Sequence, residues 1–306
     1  MTSFNKAFNL HIEELKPLQI EAIQTLQNGQ DCICCLPTGY GKSLTYELLP
    51  FLEPGCLVIV IAPLNAIIEQ QVKKLGDMAM QLKTDLKRVK NGEVSYLFSH
   101  PEDIINCKPF YDYFSSSQFR KTNTQVYLVI DEAHCILEWG EEFRPEYKKI
   151  GQIKSVVDCK TLALSATITK PGQKTIGDIL LMKDQVSISD SPAKENISLT
   201  VLTRPSPNSK GNCAETPYSY IFHPILAELS QTKDRFPITI IYCKSLQWIG
   251  YGYQMARQQL GSSFYAGDDR EPQHARVVMF HSSMENRMGK VSYSLQGFFS
   301  LYIYLR

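Results

Sequence analysis

The stretch Val126-Tyr127-Leu128-Val129-Ile130-Asp131-Glu132-Ala133-His134 decides how this chain reads. Five apolar, mostly β-forming residues run straight into two carboxylates. That pattern predicts a buried strand whose C-terminal end presents acidic groups. An earlier apolar run, Cys32-Ile33-Cys34-Cys35-Leu36, opens into Pro37-Thr38-Gly39-Tyr40-Gly41-Lys42-Ser43. Glycines let backbone N–H groups turn inward and cradle phosphate oxygens. A helix starting near Lys42 would add its positive dipole end at the same place. A glycine-rich loop with Lys-Ser and a strand-end acidic pair are the two halves of a nucleotide-phosphate and magnesium site.

Each residue type has a physical reason to be there. Pro37, Thr38, Gly39 and Gly41 shape the cradle, and Lys42 can reach the outer phosphates as a point charge. The Ser43 hydroxyl can ligate magnesium. Asp131 is the candidate magnesium ligand, directly or through water, and Glu132 the candidate that polarises an attacking water. Phosphoryl transfer needs mostly positioning and charge neutralisation, so Lys42, Asp131 and Glu132 suffice as a minimal catalytic half-site. The strict phosphate-loop pattern wants glycine at position 36, where this chain has leucine. Blander readings stand beside these: a glycine-containing turn, an acidic helix N-cap, and a histidine at 134 that only packs.

The chain has 306 residues, enough for two domains, and a formal net charge of +1. No global basic field advertises nucleic acid, so any such surface must be local. The nine cysteines show no pairs at metal-ligand spacing, and no zinc site is expected. Those before the loop read as small buried residues in a reducing compartment. No apolar run reaches the roughly twenty residues of a membrane span, and no secretory leader is evident. An intracellular location without a membrane partner is the expectation.

The pattern along the chain is a helix over 10–28 broken near Pro17, then strand, loop and helix over 31–50. Strands follow at Leu57–Ala62, Val94–Phe98, Val126–Ile130 and Thr161–Leu164, with a helix over Asn65–Leu75. Strands alternating with helices, with functional groups at strand C-terminal ends, predict a parallel α/β sheet. Segment 203–220 reads as a loop. A second α/β pattern comes after it: helix 222–232, strand Ile238–Cys243, helix 245–260 and strand Arg276–Phe280.

With these motifs placed, the chain resembles RecQ-type DNA helicases of superfamily two. Leu15-Lys16-Pro17-Leu18-Gln19 is similar to that family's adenine-reading motif, and Leu36–Ser43 to its phosphate loop. Ala62-Pro63-Leu64, Ser99-His100-Pro101-Glu102, Asp131–His134 and Leu164-Ser165-Ala166-Thr167 resemble its motifs Ia, Ib, II and III. The most diagnostic stretch is His134–Tyr147, which holds Trp139, Phe143 and Arg144 directly after the acidic box. It separates the RecQ group from RNA helicases. Ile241–Ser245 and Phe280–Glu285 resemble the opening motifs of the family's second RecA-like domain.

The resemblance implies a P-loop RecA-like domain over 1–190 and an incomplete second RecA-like domain over 191–306. It implies an ATP-dependent 3′–5′ DNA helicase, working in DNA repair and recombination and nuclear if the source is eukaryotic. Its cofactors would be ATP and Mg2+, its partner single-stranded and partly duplex DNA. Gln19 would read adenine; Ser43 and Asp131 would hold Mg2+; Ser165 and Thr167 would couple the domains. Trp139, Phe143 and Arg144 would sense single-stranded DNA, consistent with stacking of bases on aromatic faces. Two alternatives stand behind this reading: a non-motor protein that binds ATP and DNA, and, less favoured, an RNA helicase.

The chain also departs from the family. Met78–Asn91 reads as short, charged and helix-like, which puts one sheet strand in question. No motif V or arginine-bearing motif VI follows, so unwinding by this chain alone is not expected. Phe298–Arg306 matches no family motif; it is largely apolar with high β-propensity, and as an exposed tail it would be an aggregation risk.

Overall fold

The structure, a computed structural model, describes residues 14–83, 86–138, 144–191, 193, 196–201, 219–266, 270–271, 274–280 and 301–305. It divides into two compact units, Met1–Ile197 and Ser198–Arg306.

The first unit is built on seven strands: β1 (Cys32–Cys35), β2 (Leu57–Ile61), β3 (Ala79–Gln81), β4 (Tyr96–Ser99), β5 (Val126–Ile130), β6 (Cys159–Ser165) and β7 (Val186–Ser189). Their order across the sheet is β3-β4-β2-β5-β6-β1-β7, and every pairing is parallel. The sheet is covered on both faces. Ile33, Ile59, Leu128 and Ala163 face one buried cluster with Tyr147, Ile150 and Ile176. Val58, Val60, Val129 and Leu164 face the other, with Ala22, Ile23, Tyr46 and Ile68. Burial on both sides explains why these strands are continuous apolar runs rather than alternating ones.

Three expectations need correction here. Pro17 does not break the first helix but starts it, over Pro17–Gln27. At the first helical position the missing N–H has no partner to lose. Residues 10–13 of that expected helix lie outside the described residues. Met78–Asn91 is not simply helical: Ala79–Gln81 forms β3, paired with β4 at the sheet edge. Three residues are too few for a period to show, and only the neighbouring strand makes them a strand.

The third correction concerns the second unit. It holds a helix at Ser219–Thr232, β8 (Thr239–Cys243), a helix at Leu246–Leu260, β9 (Val277–Phe280) and β10 (Leu301–Leu305). The sheet order is β8-β10-β9, parallel throughout. Leu301–Leu305, within the run read as an aggregation risk if exposed, is therefore the central strand of this sheet, and the rest of that run lies outside the described residues. Its β-propensity is spent on two neighbours. Phe222, Leu226, Leu229, Ile249, Ala256, Leu260 and Val277 form the unit's own core. Residues 202–218, which hold most of the expected loop, lie outside the described residues.

Candidate nucleotide and nucleic-acid site

Sheet order places the motifs. β1 lies beside β6, and β6 beside β5. The phosphate loop, Ser165-Ala166-Thr167 and the acidic box thus leave three successive strand ends on the same edge. In open parallel sheets, ligands bind at such C-terminal ends, where strand order reverses.

The loop is fastened to this edge from its first residue, as the Leu36 N–H donates to the Ser165 carbonyl at 3.0 Å. Gly39 and Gly41 adopt φ of +83° and +87°, in the left-handed region that other residues avoid. A Cβ on Gly41 would stand 2.7 Å from Gln19 Nε2, whereas one on Gly39 would meet nothing within 4 Å. The side of the loop at Gly39 is therefore open. Lys42 folds back over the loop, its Nζ donating to the Leu36 carbonyl at 3.1 Å. Ser43 sits at the start of the one-turn helix Leu44–Glu47.

Gln19 is buried and its amide is engaged. Nε2 donates to the carbonyls of Tyr40 at 3.1 Å and Gly41 at 3.0 Å. Oε1 accepts from the Lys16 N–H at 2.8 Å. Both amide hydrogens are used, and one lone pair of Oε1 remains.

The acidic box is a connected network. Asp131 continues β5, donating its N–H to Ile61 O at 2.9 Å, and its Oδ1 accepts from the Glu132 N–H at 3.0 Å. Burial first, and then the Glu132 charge, push the Asp131 carboxyl up to about 6. Glu132 has φ +50°, a strained conformation for a residue with a Cβ. It sends Oε2 to within 3.3 Å of His134 Nδ1, and this hydrogen bond holds its carboxyl below the ordinary value. His134 Nδ1 also lies 3.1 Å from Ser165 Oγ, and Nε2 lies 3.8 Å from Cys135 Sγ. The Cys135 and Glu132 hydrogen bonds raise the His134 pKa to about 10, so the ring is an imidazolium at neutral pH. Ser165 Oγ accepts in turn from the Thr167 N–H at 3.2 Å. Box and Ser-Ala-Thr stretch are therefore one hydrogen-bonded unit.

The donor set suits magnesium nucleotide. A hydroxyl and a carboxylate oxygen are hard ligands of the kind Mg2+ takes. Lys42 would supply countercharge to a phosphate, and the open side at Gly39 leaves backbone room.

Arg144 sits on the protein rather than projecting from it. Its Nη1 donates to the Pro63 carbonyl at 2.7 Å, and its Nε pairs with Glu102 Oε1 at 3.2 Å. His100 makes a parallel tie, with Nδ1 2.9 Å from Ala62 O and Nε2 2.7 Å from Asn65 Oδ1. The stretches at 62–65 and 99–102 are thereby locked together. Glu102 and His100 were legible only as members of a motif; their partners come from the fold. Trp139 and Phe143 lie outside the described residues.

Fold and site define a RecA-like nucleotide-binding protein. A family model for the DEAD/DEAH box helicases matches residues 16–175, just over half of the chain, and the chain belongs to that family. Among curated proteins it is similar to ATP-dependent DNA helicase Q5 of Rattus norvegicus, 35% identical over 58% of this chain and 19% of that protein. It is also similar to the RecQ-like DNA helicase BLM of Xenopus laevis, 30% identical over 70% of this chain and 16% of that protein. The chain thus resembles RecQ-type helicases while spanning less than a fifth of these relatives. Among solved structures, the DUF1998 helicase MrfA bound to DNA and AMPPNP shares the fold. The TM-score is 0.69 at 14% identity, covering 99% of this chain and 43% of that one. Among the described residues, no helix is long and apolar enough to cross a membrane.

Proposed function

We propose that the chain is the nucleotide-binding part of an ATP-dependent 3′–5′ DNA helicase of RecQ type. The observation that carries this reading is the hydrogen-bonded join of the acidic box to Ser165, beside a phosphate loop that continues from the neighbouring strand. Lys42 leaves the Leu36 carbonyl and takes the outer phosphates. Ser43 and Asp131 hold Mg2+, which when bound supplies neutralising charge across those phosphates. Glu132 orients and polarises the attacking water, steadied by the His134 imidazolium. Ser165 and Thr167 pass the state of the acidic box along β6. Gln19 accepts from the N6 amino group of adenine through its remaining lone pair, where guanine presents an acceptor instead. Residues 1–190 form the ATP-binding domain and 191–306 the second RecA-like one. Trp139 and Phe143 stack on unpaired bases, and Arg144, tied to Glu102 and Pro63, senses DNA beside them.

A second reading has its own support. In the second unit Arg276 is committed to Asp234 at 2.6 Å and to the Ser263 carbonyl at 3.0 Å. Arg257 donates to the Tyr265 hydroxyl at 3.0 Å and lies over the Phe264 ring. Both guanidiniums are engaged within the second unit, which fits the alternative of a chain that binds ATP and DNA without unwinding.

Calorimetry and strand displacement separate the two. Magnesium-ATP binding is expected in the parent and to be markedly weakened in Lys42→Ala. GTP is expected to bind less tightly, with that preference reduced in Gln19→Ala. ATP turnover should rise with single-stranded DNA and not with RNA. Equal affinity of parent and Lys42→Ala would remove the assignment. ATP-dependent displacement of a duplex with a 3′ tail, lost in Lys42→Ala, would decide for the motor over the binding protein.

A further inference from the structure

The phosphate loop carries one large side chain that has no part in the site described above. Tyr40 stands between Gly39 and Gly41, and both neighbours hold left-handed backbone. Its N–H closes the turn onto the Pro37 carbonyl at 3.1 Å. Its ring is half-buried against the cluster that holds Ala22, Ile23 and Leu36. A loop that approaches phosphate through its backbone is served by small residues, so a bulky ring at this position has some other use.

Three contacts point to that use. The Lys16 ammonium lies 4.5 Å from the centre of the Tyr40 ring, within the reach over which a ring face attracts a cation. Lys16 is exposed, and among the described residues no carboxylate pairs with it. The ring is therefore what holds this long and otherwise free side chain. The Lys16 N–H donates to Gln19 Oε1 at 2.8 Å. Gln19 Nε2 donates in turn to the Tyr40 carbonyl at 3.1 Å. The circuit closes on itself: ring to Lys16, Lys16 to Gln19, and Gln19 to the backbone of the ring's own residue. Because Oε1 meets an N–H while Nε2 meets two carbonyls, the amide has one orientation. The direction of its remaining lone pair is set by that circuit.

We infer that Tyr40 is a positioning residue that sets base selectivity: its ring holds Lys16, and Lys16 and the Tyr40 carbonyl together aim the Gln19 amide at adenine. The loop that takes the phosphates thereby also fixes the reader of the base. This inference deepens the proposed function and rests on its reading of Gln19 as the group that accepts from adenine N6.

The test is calorimetric binding of magnesium ATP, magnesium GTP and magnesium tripolyphosphate, the last having phosphates and no base. The chains compared are the parent, Tyr40→Phe, Tyr40→Leu, Lys16→Met, the double variant Lys16→Met/Tyr40→Leu, and Gln19→Ala. Phenylalanine keeps the ring, leucine keeps only apolar bulk, and methionine keeps the stem of Lys16 without its charge. Tyr40→Leu and Lys16→Met are each expected to reduce the preference for ATP over GTP by about twofold to fivefold, the effect of losing one exposed cation–π contact. The double variant should lose no more than the worse single one, because both remove the same contact. Tyr40→Phe should behave like the parent, and tripolyphosphate should bind all of these chains alike. If Tyr40→Leu weakens ATP and tripolyphosphate equally, the ring only supports the loop and the inference fails. Losses that add in the double variant overturn it as well, since Lys16 and Tyr40 then act apart; Lys16→Met, a change at an exposed residue, reports even if Tyr40→Leu does not fold. If Gln19→Ala keeps the parent's preference for ATP, the adenine reading itself fails and takes the inference with it.

Discussion

At the scale of single residues, the site holds its chemistry against the grain of folding. Asp131 has a folded pKa of about 6 against an ordinary value of 3.8. A carboxyl that binds its proton more tightly when folded makes the folded state less stable as pH rises through that interval. The penalty is complete above about 6 and absent below about 4. Asp131→Asn is therefore expected to stabilise the nucleotide-free protein by about 1–3 kcal/mol at pH 7.5. The gain in melting temperature should shrink as pH is lowered toward 4. A constant gain across that range would mean the carboxylate is not the source. His134 works in the opposite sense. Its raised pKa contributes stability that is full below its ordinary value of 6.5 and is lost as pH climbs through about 10. The two opposing groups sit within one hydrogen-bonded network.

At the scale of elements, the phosphate loop shows how one sequence pattern hides two different constraints. Gly39 and Gly41 share a left-handed backbone, yet only Gly41 is pressed against another side chain. Gly39→Ala is expected to cost the strain of one residue, about 1–2 kcal/mol. Gly41→Ala must bear that strain and also displace the Gln19 amide from the Tyr40 and Gly41 carbonyls. Its loss of nucleotide affinity should exceed that of Gly39→Ala by about tenfold. Equal losses in a paired titration would show that the Gln19 contact does not support the loop. The first helix thereby acts on the loop through one side chain. The family resemblance implied an adenine reader at that residue; the fold shows a brace.

At the scale of the molecule, the two units have separate cores and separate sheets. Among the described residues, β8 and β9 do not pair with each other, and each pairs only with β10. Removing residues 301–306 therefore takes away the centre of the second sheet, not an ornament at its edge. The shortened chain is expected to be cut readily by protease within 219–280 while 14–191 stays resistant and still binds nucleotide. Protection of 219–280 in the shortened chain, read by mass spectrometry, would show that this unit does not depend on its last strand.

What the sequence determined by itself was whatever is local. Continuous apolar runs fixed the parallel, doubly covered sheet, because burial on both faces leaves no alternation to read. The residues 36–43 and 131–134 could be read as phosphate and magnesium motifs, because each set is contiguous in the chain. Tertiary structure decided everything that depends on a distant partner. It made Ala79–Gln81 a strand, since pairing and not composition assigns so short a segment, and it gave Leu301–Leu305 the two neighbours between which it pairs. It brought Ser165 to His134 across 31 residues of chain and Gln19 to Tyr40 across 21. It also turned Arg144 back onto Glu102 and Pro63. Periodicity and residue chemistry are carried by neighbours along the chain, whereas a hydrogen bond between strand ends exists only once the order of the strands is set.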